Sequence, residues 1–245
     1  MHRAEARIAG GLPPSVPSPR LLWSYDDGEW VALAFDDIDG RPPILPWRKE
    51  ELERVLHAVT ELSQTLTPSP VAAPPVAEVL GPLFTGWRRE HQATKEGRTP
   101  PGLDPWAARN LDRLVALETH WEEAARGDTL LHADLRADNL LMTNNRVYVV
   151  DWPHGCIGAD WIDLVCLLPS VAMQGGPPPW EILDRDPVAR EADRQSVDSL
   201  VAALTGFFTW ASRRPPPPGL PTLRPFQGAQ GREGLVWLRH RMGWP

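Results

Sequence analysis

His132, Asp134, Asn139 and Asp151 fall within the run TLLHADLRADNLLMTNNRVYVVDW, residues 129–152, where most neighbours are Leu, Val and Met. An ionised carboxylate buried without a partner is costly, so two carboxylates and an amide in apolar surroundings call for a compensating charge. Asp134 and Asp151 stand at the ends of strand-like segments, where side chains can face a cleft. Carboxylate and amide oxygens are hard donors that suit Mg²⁺. A metal bridging phosphate oxygens would supply the positive charge, and a further carboxylate would accept the proton of an alcohol. The chemistry that needs this set is phosphoryl transfer.

The same residues carry a resemblance. HADLRADN matches His-x-Asp-x-x-x-x-Asn, the catalytic-loop pattern of kinases, and VVDW resembles the metal-binding Asp that follows that loop. GADWIDLVCLL resembles the Gly-x-Asp-x-x-Asp-Leu stretch of the aminoglycoside phosphotransferase and choline kinase superfamily, and LAFDDIDGRPP is similar to its hinge. The Trp after Asp151 departs from the protein-kinase Asp-Phe-Gly and favours the small-molecule branch. The resemblance implies Asp134 as catalytic base, Asn139 and Asp151 as Mg²⁺ ligands, and His132 as a support of the loop. It implies Asp163 as a carboxylate bracing the loop backbone, and Arg136 as a charge near the transferred phosphate. Phe35, Asp36 and Asp37 would offer backbone groups to the adenine of ATP, and Glu5 resembles the helix Glu that pairs with a phosphate-binding Lys. Taken singly, each residue has an ordinary structural reading: a turn or cap for an Asp, a core hydrogen bond for His132, an exposed helix position for Glu5. The order of the motifs is what joins them.

Elements must hold these residues in place. RLLWSY and EWVALAF around Asp-Asp-Gly predict a β-hairpin. Leu52, Val55, Leu56, Val59, Leu62 and Leu66 keep a 3.6-residue period, which predicts a helix over 48–66. Further helices are expected over 76–91 and 104–127, the latter capped by Asp104 with Pro105 in its first turn. A second hairpin is expected over 129–152 around Asn144-Asn145. Three helices then follow: 161–173 capped by Asp160, about 187–212, and about 228–242. Strands do not alternate with helices, so the fold class is α+β. It is protein-kinase-like by resemblance, with a truncated small β-containing N-lobe over 1–40, a hinge at about 33–40, and a mostly helical C-lobe over 41–245.

Composition narrows the function classes. The chain has 245 residues, net charge −7 and 42% hydrophobic residues, which allows a sizeable core and argues against a generic nucleic-acid binder. Its two cysteines, Cys156 and Cys166, fit neither a disulfide framework nor a zinc site. No signal core or membrane-length apolar run is seen, so the reading is a cytoplasmic protein with no nucleic-acid or membrane partner. The oligomeric state is left open.

Two parts of the resemblance are missing. Only two lysines occur, Lys49 and Lys95, and neither lies on a strand ahead of Glu5; no Gly-rich phosphate loop is present. Either Met1 is internal to a longer, active small-molecule kinase, or the chain is a catalytically inactive kinase-like binding module. An adaptor using the Pro215–Pro218 run or exposed tryptophans, and a metal-dependent hydrolase, are the remaining readings. The acceptor is expected to be a small hydroxyl-bearing molecule. Glu181, Asp184, Asp186, Asp193 and Asp198 would suit a cationic one, or else form a solvated acidic face.

Overall fold

Helix α1 (His2–Gly11) leads into an antiparallel hairpin of β1 (Leu21–Asp26) and β2 (Val31–Phe35). The computed structural model describes residues 1–98 and 101–245. The hairpin turns where Asp27 accepts the N–H groups of Glu29 and Trp30, at 3.0 and 2.7 Å, and where Gly28 takes φ +94°, a backbone state that costs glycine little. Helix α1 packs on both strands, and Arg3 pairs with Asp26 at 2.7 Å. Much of the hairpin is nevertheless open to solvent: Leu22, Trp23, Tyr25 and Trp30 are all more than half exposed, from 54% to 73%.

The helical part begins with α2 (Lys49–Thr65), which buries Leu52, Val55, Val59 and Leu62 as the period predicts. The expected helix over 76–91 is two, α3 (Val76–Leu80) and α4 (Gly86–Lys95); Pro82 lies between them, where proline ends a helix. The expected helix over 104–127 is three consecutive short ones, α5 (Pro105–Arg109), α6 (Leu111–Thr119) and α7 (Trp121–Ala124). Asp104 caps α5, accepting from the N–H groups of Trp106 and Ala107 at 2.9 and 3.2 Å.

The region over 129–158 is more divided than a single hairpin. Strand β3 (Thr129–Leu131) pairs antiparallel with β6 (Cys156–Gly158), while β4 (Leu140–Met142) and β5 (Val147–Val149) form the inner hairpin. The catalytic-loop motif and Asp151 are thus the two connections that leave and re-enter the β3–β6 pair. Helix α8 (Ile162–Met173) follows, with Trp161 as N-cap and no side-chain capping bond, so Asp160 is not the cap that the sequence predicts. After α9 (Pro179–Leu183), helix α10 (Arg194–Ser212) starts later than expected because Asp193, accepting from the Ser196 N–H at 2.8 Å, is its cap. Helix α11 (Leu223–Met242) starts earlier, with Pro225 in its first turn, where a missing N–H is harmless.

The core is built around α10, whose residues from Val197 to Thr205 are all buried and which packs against α4, α6, α7, α8 and α11. It meets α4 at backbone distance. A Cβ at Gly86 would overlap the carbonyl of Gly206, and one at Gly206 would stand 2.7 Å from Cδ1 of Trp87. The Trp87 indole N–H donates to the Ala202 carbonyl at 2.7 Å, and Glu118 of α6 accepts the N–H groups of Trp87 and Arg88 at 2.8 and 3.0 Å. That carboxylate satisfies the open first turn of α4.

Candidate active site

The segment from His132 to Asn139 folds around a buried carboxylate. Asp163, in the first turn of α8, accepts the N–H groups of His132 at 2.7 Å and Ala133 at 2.8 Å. Those bonds hold Ala133 at φ +63°, a conformation that costs a residue with a Cβ about 1 kcal/mol or more. Burial pushes the Asp163 carboxyl up to about 6, against the two N–H groups that favour its charged form.

His132 is fully buried. Its Nδ1 accepts the Asp134 N–H at 3.2 Å, so the proton sits on Nε2, which donates to the Val150 carbonyl at 2.9 Å. Burial holds its pKa down at about 4, so the ring is neutral. Trp152 stands edge-on to it with ring centroids 4.8 Å apart and donates its indole N–H to Ser18 at 3.1 Å. The residue that the sequence reading used only to separate kinase branches is therefore a brace of the loop.

Asp134 is half-buried, and burial raises its pKa from the ordinary aspartate value. Arg136 donates to Oδ1 at 3.1 Å. Asn139 donates its Nδ2 to the Asp134 carbonyl at 2.8 Å and to Oδ2 at 3.4 Å. Arg136 is itself held by Asp138, at 2.8 and 3.0 Å, a residue that the motif left as filler. Asn139 Oδ1 accepts no hydrogen bond from a described residue. The Val150 N–H donates to the Asn139 carbonyl at 3.0 Å, which sets Asp151 one residue from that junction, at φ +68° and exposed. Its charge acts on both Asp134 and Arg136. Asn139 Oδ1 and the Asp151 carboxylate are thus two uncommitted hard oxygens beside Asp134, a donor set that fits Mg²⁺.

The structure places the remaining predicted residues differently. Asp36 spends its N–H on the Arg20 carbonyl at 2.9 Å and its carboxylate on Arg20 Nε at 2.8 Å, so that N–H is not on offer to adenine as the hinge reading expected; the Asp37 N–H has no such partner among the described residues. Phe35 ends β2. Arg41, just past the hinge, exchanges two backbone hydrogen bonds with Met142 of β4, at 3.1 and 2.7 Å. Glu5 lies on α1 beside His2, at 3.5 Å, rather than beside a lysine. Lys49 and Lys95 begin α2 and end α4. A turn after Glu5, Ile8 fills the space at Gly155, where a Cβ would lie 2.9 Å from it, so α1 rests on the segment that follows Asp151.

A cavity of about 400 Å³ opens beside Asp134, Arg136 and His154. Its walls come mostly from α3 and the α3–α4 link, α10 and α11, and of its wall residues sequence reasoning named Cys166 alone. The five acidic residues considered for a cationic acceptor lie elsewhere. Asp186 caps the turn at Val188 and Ala189, Asp193 caps α10, and Asp198 pairs with Arg241. Glu181 and Asp184 line two other hollows.

A family model described as phosphotransferase enzyme family matches residues 1–216. The chain belongs to this phosphotransferase family. Solved structures extend the likeness to the whole fold. One is a thermostable mutant of aminoglycoside phosphotransferase APH(4)-Ia in ternary complex with AMP-PNP and hygromycin B, with 14% identity, 98% of this chain and 83% of that chain covered, and a TM-score of 0.62. A choline/ethanolamine kinase family protein from Mesorhizobium loti shows 18% identity, 99% and 80% coverage and a TM-score of 0.62. Choline kinase LicA from Streptococcus pneumoniae shows 11% identity, 98% and 81% coverage and a TM-score of 0.59. No curated protein matches the chain. This phosphotransferase-family chain therefore has the kinase-like fold, with a small antiparallel N-terminal part and a larger, mostly helical remainder. No described helix is long and apolar enough to cross a membrane.

Proposed function

We propose that the chain moves the γ-phosphate of ATP to a hydroxyl of a small molecule, with Asp134 as the base. The observation that carries this is the Asp134 carboxylate itself: it stands at the mouth of the cavity, fixed by Arg136 and Asn139. Burial raises its proton affinity towards the range where a general base is effective. Asn139 and Asp151 would hold Mg²⁺, which when bound offsets phosphate charge. Arg136 adds positive charge beside Asp134, and its two links to Asp138 keep it there. His132, neutral and locked in one tautomer, holds the backbone of Asp134 and ties it to Val150, between the end of β5 and Asp151. Asp163 fixes the strained turn between them. The complex of a fold relative with AMP-PNP supports nucleotide as the donor, and the Phe35–Asp37 link, reduced to the groups not used by Arg20, is the side from which adenine would be met.

A second reading is a catalytically inactive kinase-like binding module. It is favoured by the placement of both lysines at helix ends, outside the hydrogen-bonded cluster around Asp134.

Transfer of label from γ-³²P-ATP, with calorimetric binding of ATP–Mg²⁺, separates the two. An active enzyme transfers label, and Asp134→Asn loses transfer by about 10³-fold or more while still binding nucleotide. Its rate also falls on the acid side at a pH above the ordinary aspartate range, because the base must be ionised and its pKa is raised. Nucleotide binding with no transfer at any pH favours the module; equal transfer by the variant removes Asp134 from the chemistry.

A further inference from the structure

The cavity beside Asp134 also carries information about the acceptor. Its walls are apolar: Leu80 from the end of α3, Leu83 from the α3–α4 link, Phe207 and Phe208 from α10, Leu223 and Phe226 from α11. At about 400 Å³ it has the size of a small-molecule site.

Besides the Cys166 thiol, the ionisable lining groups are Asp134, Arg136 and His154. Asp134 shares the Arg136 guanidinium with Asp138, which lies outside the cavity, and that guanidinium lies over the Phe226 ring, 5.6 Å from its centroid. Among the described residues no second carboxylate lines this space. An ammonium group seated among the apolar walls, away from Asp134, would leave water with no counter-ion beside it.

What the wall offers instead is neutral and polar. Gln230 is 3% exposed and its amide makes no hydrogen bond to a described residue. Gln227, one helical turn earlier, gives its Oε1 to Arg224 at 2.8 Å and keeps its Nε2 uncommitted. A ligand group that pairs with these amides takes the place of the water that otherwise satisfies them.

Resting on the phosphotransferase reading above, we propose that the acceptor is an uncharged alcohol with an apolar, ring-bearing body and a second neutral hydrogen-bonding group that meets Gln230. This separates the chain from the polycationic hygromycin B bound by its fold relative. Phosphate transfer to such a molecule breaks the bond between the γ-phosphorus and the bridging oxygen of ATP, forms a bond to the acceptor oxygen, and leaves ADP; the hydroxyl proton passes to Asp134.

Calorimetry on the full chain without nucleotide reads the cavity alone, and label transfer from ATP reads the reaction. The probes are 4-(hydroxymethyl)benzamide and 3-phenylpropanol as neutral alcohols, and choline and kanamycin as cationic ones. The neutral pair is expected to bind at least about tenfold more tightly than the cationic pair. Gln230→Leu should weaken the benzamide about tenfold and leave phenylpropanol unchanged. Gln230→Glu, close in size, should lose that preference by admitting choline. Unfolding curves of both variants keep a folding defect from being read as a binding defect. Tighter binding of choline or kanamycin, or no binding of either neutral alcohol, overturns the inference whatever the transfer assay gives. Neutral alcohols that bind as expected but never take label overturn the phosphotransferase reading and leave the ligand class standing.

Discussion

Asp163 does for the loop what a cap does for a helix: one carboxylate takes two N–H groups that would otherwise be buried and unpaired. An amide at that position accepts with one atom and turns an NH₂ on the other donor, so Asp163→Asn should cost about 1–3 kcal/mol of stability. The pH dependence has a definite sign. The folded-state pKa, about 6, lies above the ordinary 3.8, so the folded chain binds the proton more tightly than the unfolded one. The stabilisation is fully present below pH 3.8 and is lost as pH rises through about 6. Urea unfolding of the native chain and the variant across that interval should show the gap between them narrowing as pH rises. Residues that act through local geometry were legible in the sequence, because a loop of eight residues fixes its own spacing: the structure brings His132, Asp134 and Asn139 into one hydrogen-bonded cluster. Asp138 and His154 were not, since an Asp before an Asn and a His after a Pro carry no mark of the partners they meet.

At the scale of elements, helical period and turn chemistry located α2, the first hairpin and the cap of α5, and missed breaks and partners. Nothing in 129–131 distinguishes pairing with a neighbour from pairing with 156–158; that choice is made by the packed core. The cavity walls were invisible for a related reason. Phe207, Phe226 and Gln230 lie some 70 to 100 positions after Asp134, and an apolar stripe shows that a helix face is covered without showing by what. The i, i+3 pair Gln227 and Gln230, buried on a helix rich in glycine, is the signal that was there to be read. Contact between α4 and α10 is the least forgiving junction. Gly86→Ala sets a methyl against the Gly206 carbonyl, and since core overpacking costs about 1–3 kcal/mol or more, a loss of about 3 kcal/mol is expected in chemical unfolding, with the helical signal of the native state otherwise retained.

For the whole molecule, the uneven covering of the surface stands out. The helical part closes over its core, while the hairpin leaves Leu22, Trp23, Tyr25 and Trp30 in water on a two-stranded sheet with free edges. Such a surface favours association, opposed by a net charge of −7. Sedimentation velocity should show the weight-average coefficient rising with protein concentration, and rising further when salt screens the charge; Trp23→Lys with Trp30→Lys should abolish the rise, and a flat native profile would refute the expectation. The junction at Gly206 has a reach of its own. It stands one residue before the aromatic wall at Phe207, and its bare backbone against Trp87 sets how far that wall advances. Descendants of this gene can therefore widen or narrow the molecules they accept through a change at a position that no acceptor ever touches.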